Sequence, residues 1–251
     1  MDELAASSVI YLGETHSSAA DHFVQARVID ELAARSSAPL TVALEMVERP
    51  FQPVLDAYIA GRLSDEQLYT DTEWADRWGW TFANYLPLFH ACRRHAIPLL
   101  AMSLPADLVR RVRFGGGLEA LSRGELKAVL PDPAGYAAYA GRPPYRQYVK
   151  DVVVPSFRHH IESGLLGDNP SFRGFWAAQS LWDESMASTI AAAAVGSGGG
   201  AAAAPPPTVV AVLGEQHVRY GWGVPRRVER LLGWYQARVG GGGGGRTRRR
   251  S

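Results

Sequence analysis

The 251-residue sequence predicts an α/β fold: a mostly parallel central sheet with flanking helices and a helical insertion between the third and last strands. Three observations carry this. Short, continuously apolar runs of strand length recur at residues 9–12, 40–44, 97–102 and 208–213, and such runs belong to sheets covered on both faces. The segments between them repeat apolar residues at helical spacing between recognisable caps, which makes the connections right-handed crossovers. The first and last runs end alike, in Leu12-Gly-Glu-Thr-His16 and Leu213-Gly-Glu-Gln-His217. A carboxylate and an imidazole are thus delivered twice to the C-terminal edge of one sheet, where open α/β sheets bind ligands.

Composition bounds the rest. With 47% hydrophobic and 20% charged residues the chain is an ordinary globular sequence, read as one domain over residues 1–239. A Gly/Ala/Pro-rich stretch at 194–207 reads as a flexible insert, and the Gly/Arg segment 240–251 as a disordered tail. The formal net charge of +1 offers no general attraction for nucleic acid or a membrane surface, so neither is an expected partner. Cys92 is the single cysteine, which excludes an intrachain disulfide and a multi-cysteine zinc site; it reads as a buried apolar residue. No apolar run approaches the roughly 20 residues of a membrane helix. The first strand begins within a few residues of Met1, so the expectation is a soluble chain without a signal or transit peptide. The compartment stays open, an organelle included.

The elements follow in order. After the strand at 9–12, Ser18 and Asp21 have capping-box form, so a helix starts at Ala19 and ends near Pro39. The strand at 40–44 runs into Glu45. Pro50 and Pro53 introduce a short helix closed near Gly61, and Ser64 with Gln67 caps another over 65–70. An aromatic segment holding Trp74, Trp78, Trp80 and Phe82 precedes a helix from Tyr85 to His95, then the strand at 97–102 and a helix through Leu108 and Val112. Residues 118–146 read as a weak helix followed by a loop. Helices are expected at 147–163 and 171–193, then the last strand and a helix from Pro225.

Four strand ends therefore share one edge: three bring Glu14 with His16, Glu45, and Glu215 with His217, and the fourth brings Ser103. These residue types suit either a divalent metal ion or acid–base work, and their spacing does not choose between them. His22, on the first helix, is a further candidate ligand. Tyr220, Gly221 and Gly223 follow His217 and lead to the helix start at Pro225. Glycines there allow close backbone approach, and free helix N–H groups with Arg226 suit an anion such as a propionate; a tight turn explains the glycines equally well. Gln179 and Asp183 share one helix face and support the site or cap the sheet edge. His90, His95, His159 and His160 show no evident partners in the sequence.

In order and spacing these residues resemble a known family. The carriers are Leu12-Gly-Glu-Thr-His16 with His22, Leu44-Glu-Met46, Trp78-Gly-Trp80 with Tyr85, Gln179 with Asp183 and Met186-Ala187, and Gly214-Glu-Gln-His217 followed by Gly221, Gly223 and Pro225. Together they are similar to the ChaN-like haem-binding uptake family of the Tiki and TraB superfamily. The resemblance implies a pocket where the paired motifs meet, holding haem or iron through His16, His217 or Tyr220. It also implies an alternative, a metal-dependent protease or esterase in which Glu14 and Glu45 are catalytic. Bacterial members are often lipoproteins, and this sequence has no lipidation cysteine. A small-molecule ligand such as haem is the expected partner, with room for a homodimer enclosing a flat cofactor.

Overall fold

The computed structural model describes residues 1–196 and 206–241. In chain order it contains α1 (Asp2–Ala5), β1 (Val9–Glu14), α2 (Ala19–Arg35), β2 (Leu40–Glu48), α3 (Gln52–Ile59), α4 (Asp65–Asp71), α5 (Trp74–Arg77), α6 (Phe82–Arg94), β3 (Leu99–Ser103) and α7 (Ala106–Phe114). There follow α8 (Arg123–Val129), α9 (Pro133–Ala140), α10 (Pro143–Tyr148), α11 (Val154–Glu162), α12 (Phe172–Val195), β4 (Thr208–Gly214), α13 (Glu215–Val218) and α14 (Pro225–Gly241). The four strands form one parallel sheet in the order β1-β4-β2-β3. This is the α/β architecture read from the sequence, and α7 to α12 are the insertion between the third and last strands.

Alternation along β4 shows why its apolar run is continuous. Val210 and Val212 face one core with Ile10, Leu44, Ile29 of α2 and Phe89 of α6. Val209, Ala211 and Leu213 face the other, with Met186 and Ile190 of α12 and Leu231 of α14. All seven residues of β4 are buried, and it lies between β1 and β2. The last strand in the chain is thus internal to the sheet. Its register with β1 sets Gly13 beside Leu213 and Glu14 beside Gly214, so the two Gly-Glu-x-His motifs are neighbours.

Several elements depart from the sequence reading. β2 continues to Glu48, which puts Glu45 within the strand, and its register against β3 shifts between Leu44 and Glu48. Residues 118–146 hold three short helices in place of the expected weak helix and loop. Their signals are caps: Ser122 and Glu125 form a full capping box, Asp132 accepts from the Gly135 N–H ahead of Pro133, and Pro143 opens α10. α9 is built of Ala, Gly and Tyr and carries little periodicity, which is why pattern alone missed it. The helix expected at 147–163 is interrupted by a wide turn over Val149–Val153, just before Pro155, whose ring and missing N–H disrupt ordinary helical bonding. Ser18 caps α2 as expected, but the Asp21 carboxylate takes the N–H of Thr15 at 2.8 Å in place of Ser18's, an aspartate being one methylene shorter than the glutamate of a full box. α12 ends at Val195 and α14 reaches Gly241. Most of the expected flexible insert, 197–205, and the tail beyond 241 lie outside the described residues.

Buried charge ties the insertion to the C-terminal helix. Arg227 of α14 is 1% exposed, donates to Glu184 at 2.9 Å and Ser180 at 3.0 Å, and lies 4.5 Å from the ring centre of Tyr139. Arg230 adds bonds to Glu184 and to Asp132. On the opposite flank α12 meets α7 with no spare room: a Cβ built at Gly174 would stand 1.9 Å from the Arg113 carbonyl oxygen. Both groups are on rigid backbone. Gly174→Ala is therefore expected to destabilise the fold by about 2 kcal/mol or more, read as a lower urea midpoint; an unchanged midpoint would contradict this packing.

Candidate functional site

The two motifs meet because each glycine yields space to the other motif's loop. A Cβ on Gly13 would stand 2.8 Å from Val218 Cγ2 and 3.3 Å from Glu215 Cα, and one on Gly214 would stand 2.9 Å from His16 Cε1. The requirement for glycine is thus reciprocal, and it comes from steric approach. Strand alternation then sends the two buried carboxylates to opposite faces of the sheet. Glu14 turns toward α2 and α6, and Glu45 toward α12.

Glu14 is the hub of the first half. Its Oε1 accepts from Tyr85 Oη at 2.8 Å and lies 2.9 Å from His16 Nδ1; its Oε2 accepts from Gln25 Nε2 at 2.9 Å and lies 3.3 Å from His22 Nδ1. Burial alone would raise this carboxyl, but the hydrogen bonds from His16, His22, Gln25 and Tyr85 override it and hold Glu14 at about 2. Burial opposes a charge on His22 as well, and the adjoining Glu14 carboxylate outweighs it, moving His22 upward. His22 Nε2 reaches the His16 carbonyl at 3.1 Å, so both of its ring nitrogens are engaged, and its ring lies 3.9 Å from that of Tyr85. Tyr85 in turn accepts from Trp78 Nε1 at 3.1 Å. His16 stands at the outer end of this chain, 24% exposed, with the rings of Trp78 and Trp80 at 4.8 and 5.5 Å.

The second half is an ion triplet. His217 lies with Nε2 3.1 Å from Glu45 Oε1 and Nδ1 2.5 Å from Asp183 Oδ1, while Glu45 Oε2 accepts the Gly214 N–H at 2.6 Å. Burial would depress the imidazole; Glu45 and Asp183 more than offset it and raise His217 to about 10. Burial likewise opposes the Glu45 charge, and His217 prevails, holding that carboxyl below its ordinary value. Both ring nitrogens of His217 are engaged by carboxylates in this arrangement, which favours its charged form. The Gln179 amide nitrogen, 3.2 Å from His217 Nδ1, puts the expected Gln179 and Asp183 pair beside this residue.

The remaining expected residues divide. Glu215 points outward and pairs with Arg219 at 3.1 Å, so it is not brought into the cluster. Tyr220 is 71% exposed at φ +58, and Arg226 is engaged with Glu229 at 2.7 Å. Gly223 is required by packing, since a Cβ there would meet the His217 carbonyl at 2.1 Å, whereas Gly221, at φ +75, has open space around it. Among the described residues no group of three or more His, Cys, Asp or Glu side chains is disposed to hold a metal ion. The Glu14 oxygens are taken up by His16, His22, Gln25 and Tyr85, and those of Glu45 by His217 and the Gly214 N–H. His90 and His95, without evident partners in the sequence, pair with Asp65 at 2.8 Å and Asp30 at 2.9 Å. Gln25 was missed; its signal was its position three residues after His22 on the buried face of α2. Cys92 is fully buried, and burial pushes its thiol upward, away from reactivity.

Residues 1–228 match the family described as haem-binding uptake, Tiki superfamily, ChaN. The chain belongs to that family. Protein RETICULATA-RELATED 5, chloroplastic, of Arabidopsis thaliana is 27% identical over 241 residues, which takes in 92% of this chain and 30% of the relative. The chain therefore spans less than a third of that protein. Among solved structures, one titled "Cofacial heme binding to ChaN of Campylobacter jejuni" is similar at a TM-score of 0.58 and 16% identity, covering 90% of this chain and 78% of that one. The likeness establishes a shared fold. No helix among the described residues is long and apolar enough to cross a membrane.

The two halves of the site oppose each other in pH. Glu14 contributes stability that is present above its ordinary 4.5 and lost as pH falls through about 2. His217 contributes stability that is present below its ordinary 6.5 and lost as pH rises through about 10. Their joint contribution is therefore greatest between pH 4.5 and 6.5. Asp183→Asn removes one of the two carboxylates that raise His217, so its alkaline loss of stability should finish at lower pH. Urea unfolding across pH checks this, and an alkaline limb identical to that of the parent protein would refute the assignment.

Proposed function

We propose that this chain binds haem at the C-terminal edge of the sheet, with His16 as the iron ligand. The observation that carries the reading is the state of the three imidazoles. Both ring nitrogens of His22 and of His217 are committed, whereas His16 uses Nδ1 on Glu14 and leaves Nε2 without a hydrogen-bond partner among the described residues. A carboxylate on Nδ1 fixes the tautomer that leaves Nε2 its lone pair and raises its basicity, which is how ligating histidines are held. The donor set therefore fits an iron porphyrin. Membership in a haem-binding uptake family supports the ligand class.

Bound iron would supply ligand exchange and one-electron chemistry. The chain's own residues bind and orient: Glu14 holds His16, and Tyr85, Gln25 and His22 hold Glu14. Trp78 and Trp80 present apolar rings beside the imidazole. In the same reading exposed Tyr220 would be a second donor for the iron, and the start of α14 would take a propionate, with Arg226 exchanging its Glu229 partner for it. A homodimer belongs to the same reading, since cofacial binding of the kind described for the Campylobacter protein needs a second face, which another copy would provide. The chloroplastic plant relative supports an organelle location.

Titration of the purified protein with haem should produce a saturable Soret shift. His16→Ala is expected to lower the affinity by roughly tenfold or more, and Glu14→Gln by about tenfold through loss of orientation. Gly214→Ala should also weaken binding, because the added methyl displaces the imidazole while the sheet remains intact. A Soret titration of His16→Ala that overlays the parent would reject His16 as the ligand, and no shift in the parent would reject the function.

A further inference from the structure

A cleft of about 690 Å³ opens beside this site, and of its lining side chains only Trp80 is shared with the haem reading. Its floor is Trp74, 2% exposed and packed edge-on to Phe82 at 4.9 Å. Its walls include Tyr69 and Trp80, large rings left 39% and 42% exposed. The walls are held in place: Trp74 Nε1 donates to the Trp80 carbonyl at 2.7 Å, and Tyr69 lies 5.3 Å from Phe82. Gly79, at φ +76, turns the backbone so that Trp78 packs inward on Tyr85 and Trp80 is left at the surface.

The charges of the lining all have one sign. Asp65 and Glu66 of α4 line the cleft, and no Lys or Arg does. Asp65 is held by Tyr58 and His90, while Glu66 is exposed. Aromatic faces with carboxylates at the rim attract a cation, and they favour one whose weak hydration is cheaply removed. The same carboxylates repel the propionates of haem, and His16 is not part of the lining. We infer that this cleft binds an organic cation of the trimethylammonium class. The rings cover the methyl groups through cation–π contact, and Glu66 supplies the opposing charge, Asp65 being already paired with His90.

The test uses the full chain and tryptophan fluorescence, since Trp74 and Trp80 report directly on the cleft. Choline chloride is titrated against 3,3-dimethylbutan-1-ol, its uncharged isostere. Choline should quench saturably and bind roughly tenfold more tightly than the alcohol, and Glu66→Gln and Tyr69→Ala should each weaken choline by about threefold or more. Both variants should leave the circular dichroism spectrum and the haem titration unchanged, which separates failure of this cleft from failure of the haem reading. Flotation with phosphatidylcholine vesicles, against phosphatidylglycerol vesicles, distinguishes a lipid headgroup from a free cation; retention on the former alone assigns the same chemistry to a headgroup. Equal binding of the alcohol and choline, full binding by both variants, or binding of neither choline nor phosphatidylcholine overturns the inference.

Discussion

Buried carboxylates under a sheet edge must be paired, and this constraint organises the molecule. Glu14, Glu45, Asp183 and Glu184 are each 2% exposed or less. An ionised group so placed would cost several kcal/mol without a partner. Each therefore has one, and each partner comes from a different part of the chain: α2 and α6 supply donors to Glu14, the segment after β4 supplies His217 to Glu45 and Asp183, and α14 supplies Arg227 and Arg230 to Glu184. The helices are located as much by these obligations as by their apolar faces. Removing any one partner would strand a charge whose other bonds fix a neighbouring element.

The same constraint sorts the chemistry. A histidine clamped between two carboxylates is spent on structure, and one whose second nitrogen is free is available for function. Sequence cannot make this distinction, because His16 and His217 occupy equivalent places in near-identical motifs. Their difference arises from what lies across the sheet. Asp183 reaches His217 from α12, whereas the rings of Trp78 and Trp80 lie beside His16, whose Nε2 has no hydrogen-bond partner among the described residues.

Much of the fold was legible because its signals are local. Continuous apolar strands, Ser and Asp caps and Pro at helix starts marked the four strands and most helices. Within 118–146 the sequence shows only a weak helix and a loop, since α9 and α10 carry an Asp cap and Pro starts without apolar periodicity, and β2 reads as ending early because Glu45 interrupts the apolar run although the sheet buries it. At the site, the pairing of the two motifs was legible from duplication alone. The separation of Glu14 and Glu45 to opposite faces was not, since it depends on the register in which β1 and β2 pair with β4. Nor was the outward turn of Glu215, which follows from α13 beginning immediately after Gly214.

The position of β4 bears on how the molecule is assembled. β1 and β2 never touch as sheet neighbours; each pairs with β4, which is separated from β1 by about two hundred positions of chain. A sheet whose central strand is the last to be synthesised cannot close progressively from the N-terminus. Until that strand arrives, β1 and β2 each present an unpaired edge and the carboxylates Glu14 and Glu45 lack their common neighbour. Long-range parallel pairing of this kind makes for slow folding and a vulnerable intermediate. The edge at which the two motifs meet is therefore completed only when β4 enters the sheet.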